Sequence, residues 1–382
     1  MNNNNIKIIP CNITEHGRWK RVEEVMEKNL YSDIEITIIS FCDIYFNDTK
    51  DAIKDKWIGF IHNPIDFEKY IEWKIEPLFE KKHFLESLKY CKALIVMSNS
   101  LKEFYLKKMK ELELDIIVEY IQHPMPLLNS TKKWRYHNYM ENKEIVAIGN
   151  WLRKTYTIFK IKGLGHTKSV VPYSNRTRIE LLISCIKDNV SINDEEYNSV
   201  IKYAKMNNEC YECLLESSLV LLDVFKTSIN NTLLECICTN TPIVLTRCQE
   251  FIDVLGENYP LFFNNIYDID GLINDSKNIV KAHLHIKEMN KTFLTEEFFV
   301  ERLKEIISKI SSDKDNIDIF IKNLEEKNKI LNEKKLNKLE ENSEKYSFRL
   351  EKEEKTALEH LGHGLGVEKI PNKQKLFIWK NN

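Results

Sequence analysis

The residues best suited to chemistry lie between positions 219 and 263. The apolar run Leu219-Val220-Leu221-Leu222 ends near Asp223, a short polar loop follows, and Asn230-Asn231-Thr232 opens an apolar helix that carries Glu235. A helix N-terminus offers unpaired N–H groups and the positive end of a dipole, so it is a natural cradle for phosphate. Asn231 or Thr232 would cap it. Glu235, one turn inside, stands where a carboxylate accepts hydrogen bonds from vicinal ribose hydroxyls. The same residues also describe an ordinary capped helix with a dipole-stabilised glutamate. A second candidate is His62, in Ile61-His62-Asn63-Pro64 at the end of a short apolar run. An imidazole at a strand end can position a hydroxyl or share a proton, or it can simply bond the backbone of its own loop. Cys210-x-x-Cys213 and Cys236-x-Cys238 have tolerable zinc spacing. Both pairs fall in amphipathic helical stretches, so they read as structural thiols, and no metal is expected. His-Glu-x-x-His, the Walker loop and Gly-x-Gly-x-x-Gly are all absent from the sequence.

These residues need strands that end in loops, and the chain supplies them twice. In the first block, apolar runs at 7–10, 34–41, 57–61, 93–97 and 116–121 alternate with helical stretches from about 17 to 30, from 83 to 92 and from 101 onward. Ser98-Asn99-Ser100 is an N-cap cluster, and Pro64 and Pro124 stop two of the runs. Residues 127–143 are polar and irregular, with Trp134, Tyr136 and Tyr139, and read as a crossing between domains. In the second block, strands are expected at 144–149, within 197–204, and at 219–225, 242–246 and 261–263. Helices are expected at 179–187, 209–216, 230–238 and 249–255, with 163–178 as a loop. Repeated β-α-β with buried strands implies parallel sheets covered by helices. The expected fold is therefore α/β, two Rossmann-like domains facing a cleft, with ligands at the carboxyl ends of the strands.

Composition narrows the function classes. The 382 residues hold 56 basic and 58 acidic side chains, a net charge of −2, which speaks against a general nucleic-acid binder. A 43% hydrophobic content fills two cores and excludes global disorder. No apolar run approaches the ~20 residues of a transmembrane helix, and the first residues lack the features of a signal peptide. The nine cysteines are odd in number and scattered, which suggests a reducing, cytoplasmic setting. From about 300 the chain turns Lys- and Glu-rich. Ile310, Ile317, Leu324 and Leu331 fall seven apart, either as the docking stripe of one solvated helix or as a short coiled coil for self-association. The expected division is 1–130, 131–310 and a charged helical extension at 311–382.

The segments Leu221-Leu222-Asp223-Val224-Phe225, Ser228-Ile229-Asn230-Asn231-Thr232-Leu233-Leu234-Glu235, Asn240-Thr241-Pro242-Ile243-Val244 and Asp253-Val254-Leu255-Gly256-Glu257-Asn258 resemble the donor-binding segment of GT-B glycosyltransferases. The likeness is closest to the large retaining group of family 4 and its uncharacterised viral and bacterial relatives. The motif match spans about 45 residues, and the two-domain order extends it over about 6–310. The resemblance implies a metal-independent, retaining transfer of sugar from a nucleoside-diphosphate sugar to a glycan or other acceptor hydroxyl, with no separate cofactor. It places the acceptor on the first domain and the donor on the second. It also implies that Asn230, Asn231 and Thr232 meet the diphosphate and Glu235 the ribose. Arg153 and Lys154, in Gly149-Asn150-Trp151-Leu152-Arg153-Lys154, would neutralise the phosphates where other enzymes use a metal; as a pair of exposed bases they would do nothing of the kind. Lys160 and Lys162 are further candidates. His62 corresponds to a histidine near the donor sugar, and Gly17 to a close-approach glycine by the phosphates. One departure is plain: the family's glutamate eight residues before the ribose glutamate is Thr227 here. The other reading is a catalytically silent relative that binds nucleotide sugar or glycan, or serves as an assembly subunit.

Overall fold

A computed structural model of the chain describes residues 5–10, 17–67, 77–228 and 230–312. The first half runs β1 (Ile6–Ile9), α1 (Gly17–Asn29), β2 (Ile36–Ile39), α2 (Cys42–Asp48), β3 (Trp57–Ile61), α3 (Lys82–Leu88), β4 (Cys91–Val96), α4 (Asn99–Glu111) and β5 (Ile117–Tyr120). A crossing with one helix, α5 (Tyr136–Asn142), leads to β6 (Glu144–Ile148), α6 (Thr157–Lys160), β7 (Thr167–Val171), α7 (Asn175–Lys187), α8 (Asp194–Asn198), β8 (Val200–Lys202), α9 (Asn208–Ser217) and β9 (Ser218–Leu222). Then come α10 (Asn231–Thr239), β10 (Ile243–Thr246), α11 (Gln249–Leu255), β11 (Phe262–Phe263), α12 (Asp268–Asn274), α13 (Ser276–Glu288) and α14 (Glu296–Ser312).

All strand pairings are parallel, and the strands form two sheets. The first keeps chain order from edge to edge, β1-β2-β3-β4-β5; the second is ordered β11-β10-β9-β6-β7-β8. The second sheet thus starts at β6, moves outward to β8, and returns to lay β9 on the other side of β6. That reversal is a topological switch point, where crossovers leave in opposite directions and open a crevice at the carboxyl ends.

The first sheet is buried on both faces because its side chains alternate. Ile58 and Phe60 pack with α1, whereas Trp57 and Ile61 pack with α2, α3 and α4. Part of that core comes from far along the chain. Phe299, Val300, Leu303, Ile306, Ile307 and Ile310 of α14 sit among Trp19, Val22, Met26 and Phe60, and Arg21 Nη2 meets Glu296 Oε1 at 3.0 Å. Burying each of these apolar side chains contributes about 1.5–3 kcal/mol, so α14 belongs to the first half. The expected boundary at 310 falls within this helix.

The sequence reading missed several short helices, α2 and α8 among them, and it misjudged two segments around β6. The expected loop at 163–178 contains β7, a central strand disguised by Thr167-Lys168-Ser169. Lys168 is buried and donates its ammonium to the Ile161 carbonyl at 2.9 Å, and Ser169 Oγ donates to Glu144 Oε1 at 2.5 Å. The crossing at 127–143 is partly helical. In α5 only Tyr139 is buried, and Trp134 just before it donates Nε1–H to the Ser218 carbonyl at 3.0 Å. The heptad stripe from Ile317 to Leu331, and with it self-association, lies outside the described residues. Among the described residues no helix is long and apolar enough to cross a membrane.

Candidate functional site

The loops after β6 and β9, the two strands flanking the switch point, are laced together. Lys154 N–H donates to the Asp223 carbonyl at 3.0 Å and Phe225 N–H to the Leu152 carbonyl at 2.9 Å; Arg153 and Val224 form an antiparallel bridge. Gly149 ends the β6 loop's approach with φ +79°. A Cβ there would lie 2.8 Å from Arg153 Cζ, so the missing side chain is what lets the guanidinium rest on the backbone. Arg153 Nη2 donates to Thr232 Oγ1 at 3.2 Å. A guanidinium therefore stands over the first turn of α10, at the positive end of that helix's dipole. Two positive sources converge where a cation alone is unfavourable and an anion is favoured.

α10 is capped by Asn230, not by the expected Asn231 or Thr232, because the helix itself already begins at Asn231. The side-chain Oδ1 accepts from Thr232 N–H at 3.1 Å and Leu233 N–H at 3.3 Å. Two first-turn donors are thus occupied by the cap, and an anion would have to displace that side chain to reach them. Asn231 is exposed at the first helical position, while Thr232 is buried. Glu235 is 1% exposed and accepts a short hydrogen bond from the Tyr211 hydroxyl of α9. Thr227 is buried where the resemblance expects a glutamate.

The structure separates the neighbouring bases. Lys154 turns away from Arg153 to pair with Asp188 Oδ2 at 3.2 Å and lies 5.3 Å from the Phe225 ring centroid. Lys160 pairs with Glu196. Lys162 is exposed, and its backbone N–H donates to Asp270 Oδ2 at 3.1 Å. Asp223 is a strut: its carboxylate accepts from Thr157 Oγ1 at 2.7 Å and Thr246 Oγ1 at 2.6 Å. Burial pushes its pKa up, against the pull of the two hydroxyls and Lys154.

The carboxyl edge of the first sheet has a different chemistry. His62 is buried, stacked on Phe41 with centroids 3.7 Å apart and met edge-on by Trp19 at 4.3 Å. Its Nε2 lies 2.9 Å from the Ser40 carbonyl, which assigns the hydrogen to that nitrogen. The His62 N–H donates to Asp43 Oδ2 at 2.8 Å. Burial raises the Asp43 pKa to about 6, even though the His62 and Asn63 N–H groups favour its charged form. The His62 carbonyl accepts from Ser228 Oγ in the loop before α10, so the two edges touch. Further contacts join the halves: Ser100 Oγ to Glu250 Oε1 at 2.9 Å, Asn99 Nδ2 to Asp253 Oδ2 at 3.3 Å, and Phe67 to Trp151 at 6.3 Å between centroids. Gly17 opens α1, and the segment between it and β1 lies outside the described residues.

Sequence reasoning missed several residues here. His123 is buried 5.4 Å from Trp19, with Gln122 Nε2 3.2 Å from its Nδ1. Its signal was available, because His123 stands before Pro124 at a strand end much as His62 stands before Pro64. Asp43, Ser228 and Tyr211 carried no signal; their partners lie 19 to 166 residues away. Of the cysteines, Cys236 and Cys238 are buried, and burial raises both thiols, Cys238 to about 12. Cys210 and Cys213 are exposed on α9 and are not packing residues, because that face of the helix looks outward. Among the described residues no group of three or more His, Cys, Asp or Glu side chains could hold a metal ion.

No protein-family model matches the chain, and no curated protein matches it in sequence. Solved structures do. Sucrose-phosphate synthase from Thermosynechococcus elongatus superposes with a TM-score of 0.56 at 10% identity, over 78% of this chain and 80% of that one. TarM gives 0.51 at 15% identity, over 75% and 57% of the two chains. The pneumococcal O-GlcNAc transferase GtfA, solved with UDP and GlcNAc, gives 0.50 at 9% identity, over 77% and 60%. At such identities the likeness is one of fold, and the chain has the GT-B fold of two parallel α/β sheets.

Proposed function

We propose that the chain is a glycosyltransferase that moves a sugar from a nucleoside-diphosphate sugar to an acceptor hydroxyl of a glycan, lipid or protein-linked sugar. The observation that carries this reading is the Arg153 guanidinium held against Thr232 at the N-terminus of α10, beside the switch point of the second sheet. In this reading the diphosphate enters between Arg153 and α10, and the Asn230 carboxamide yields the Thr232 and Leu233 N–H groups to it. Charge that builds on the departing nucleoside diphosphate meets a fixed guanidinium and a helix dipole, which lowers the barrier to sugar transfer. That is why no metal ion and no separate cofactor enter the proposal. Glu235 takes the ribose hydroxyls by exchanging its bond with Tyr211. The acceptor faces the aromatic and imidazole edge of the first sheet, which holds His62 and His123. Retention at the sugar follows the resemblance in the sequence, and a cytoplasmic location follows the scattered, odd-numbered cysteines. Nucleic acid is not a partner in this reading, in keeping with the balanced charge.

A second reading rests on two specific observations. Asn230 already caps the donors that a phosphate would use, and Thr227 stands in place of the glutamate that the resemblance expects at the donor sugar. Both suit a catalytically silent protein that binds nucleotide sugar without turning it over. Calorimetry with UDP and GDP, followed by donor-hydrolysis assays on a panel of nucleotide sugars, separates the two. Binding with turnover supports transfer, binding without turnover supports the silent relative, and no binding of either nucleotide removes both.

A further inference from the structure

Cys210 and Cys213 are exposed thiols three residues apart on α9, and the residue next to Cys210 is Tyr211, whose hydroxyl holds the buried Glu235. The Lys132 ammonium lies 2.9 Å from Cys213 Sγ. It is held there with Glu209, whose carboxylate is 3.9 Å away and whose carbonyl is 3.5 Å away. The same segment is fastened to α9 by Ser130 Oγ donating to Glu212 Oε2. An ammonium at hydrogen-bond distance can stabilise the negative charge carried by sulfur in the transition state of disulfide exchange. Cys210, for its part, is in the first turn of a ten-residue helix and donates its N–H to the capping Asn207 Oδ1 at 2.8 Å. Nothing in the donor reading uses either sulfur.

We propose that Cys210 and Cys213 form a redox-active dithiol that exchanges with low-molecular-weight disulfides of the glutathione class, and that its oxidation loosens Tyr211 from Glu235. The Cys213 thiolate attacks one sulfur of the small disulfide. The S–S bond breaks, and one thiolate leaves and takes a proton from water. Cys210, deprotonated by solvent, then attacks the Cys213 sulfur of the mixed disulfide, forms the Cys210–Cys213 bond and releases the second small thiol. Two electrons pass from the protein to the small disulfide, and two small thiols are produced.

Closure has a mechanical consequence. Cβ atoms three apart on a helix are about 5–6 Å apart, whereas a disulfide holds them near 3.8 Å. The first turns of α9 must tighten to close it, and Tyr211 sits inside the closed ring. Its ring and hydroxyl are thereby moved relative to Glu235 of α10. The dithiol itself is independent of the donor reading; only an effect on nucleotide affinity rests on it.

The test treats the full chain with glutathione disulfide, alkylates the remaining thiols and maps the peptide containing residues 208–217 by mass. The expected product lacks two hydrogens and carries no alkyl group at either cysteine, and dithiothreitol reverses it. Cys210→Ser is expected to stop at a glutathione adduct on Cys213, and Lys132→Met to slow formation of the bond by about 10-fold. Amide exchange at 231–239 is expected to rise on oxidation of the wild type and to stay level in the Cys210→Ser/Cys213→Ser protein given the same oxidant. Independent adducts on each cysteine with no intrachain bond would overturn the dithiol, and a disulfide that leaves exchange in α10 unchanged would overturn the coupling. UDP titration of both redox forms then isolates the donor reading. If neither form binds UDP, that reading fails while the mass and exchange results still decide the dithiol.

Discussion

The carboxyl edges of the two sheets are built from the same kind of strand yet hold different chemistry. The first collects rings, with Trp19, Phe41, His62 and His123 packed against one another. The second collects a guanidinium, hydroxyls and a helix end in Arg153, Thr157, Thr246, Thr232 and α10. Each edge also buries one aspartate. Asp43 is tied to backbone N–H groups, Asp223 to two threonine hydroxyls, and burial raises both. The strand orders differ as well, since only the second sheet reverses direction and so has a switch point between neighbouring strands. The contrast teaches that a shared architecture fixes where a ligand goes, while loop residues fix its charge: an anion suits the second edge, a neutral ring or hydroxyl-bearing group the first.

The largest expected effect tests the first edge. The Asp43 pKa rises from 3.8 to about 6 on folding, so between those values the folded chain holds the proton more tightly than the unfolded one. Stability from this group is therefore lost as pH rises from about 4 to about 6, by up to about 3 kcal/mol. Asp43→Asn keeps an acceptor for the two N–H groups and removes the titration. Denaturation at several pH values should show the wild type falling relative to the variant across that window; parallel curves would mean that Asp43 is not buried as an acid.

Next in size is the second edge. Arg153→Met should weaken UDP binding by about 100-fold, the loss of roughly 2.7 kcal/mol expected for a charge-assisted contact. Lys154→Met should change it by about twofold or less, because that ammonium is committed to Asp188. Equal losses in the two variants, read by calorimetry, would erase the distinction between them. Glu235→Gln follows, with a loss of about 10-fold in affinity for UDP but a smaller one for pyrophosphate, which has no ribose. Glu235→Ala is a poorer probe, since it also removes the acceptor of the part-buried Tyr211 hydroxyl and so mixes a packing loss with the ligand effect. Smallest of all, His62→Ala should leave UDP affinity within about twofold while lowering turnover, because its ring belongs to the other edge.

Much of the fold could be read in advance because its strands are unbroken apolar runs. β9 and β10 are apolar along nearly their whole length and show no polar interruption. β7 was hidden because Lys168 and Ser169 hide their polar groups in partners supplied by Ile161 and Glu144, which no local pattern reveals. The N-terminus of α10 was legible from Asn230-Asn231-Thr232, since caps are local chemistry. Which of Arg153 and Lys154 would face α10 was not. Extended backbone sends successive side chains to opposite sides, and the bridge between Arg153 and Val224 sets which one goes inward. The bond between Tyr211 and Glu235 joins two helices 24 residues apart and had no trace in the sequence.

The most direct test of where the ligand sits is amide hydrogen exchange of the full chain with and without saturating UDP. Protection is expected at 149–154 and 230–235, with no change at 40–43 and 121–124. Protection confined to the first edge, or tight UDP binding that leaves 230–235 unprotected, would contradict the assignment of the nucleotide to α10.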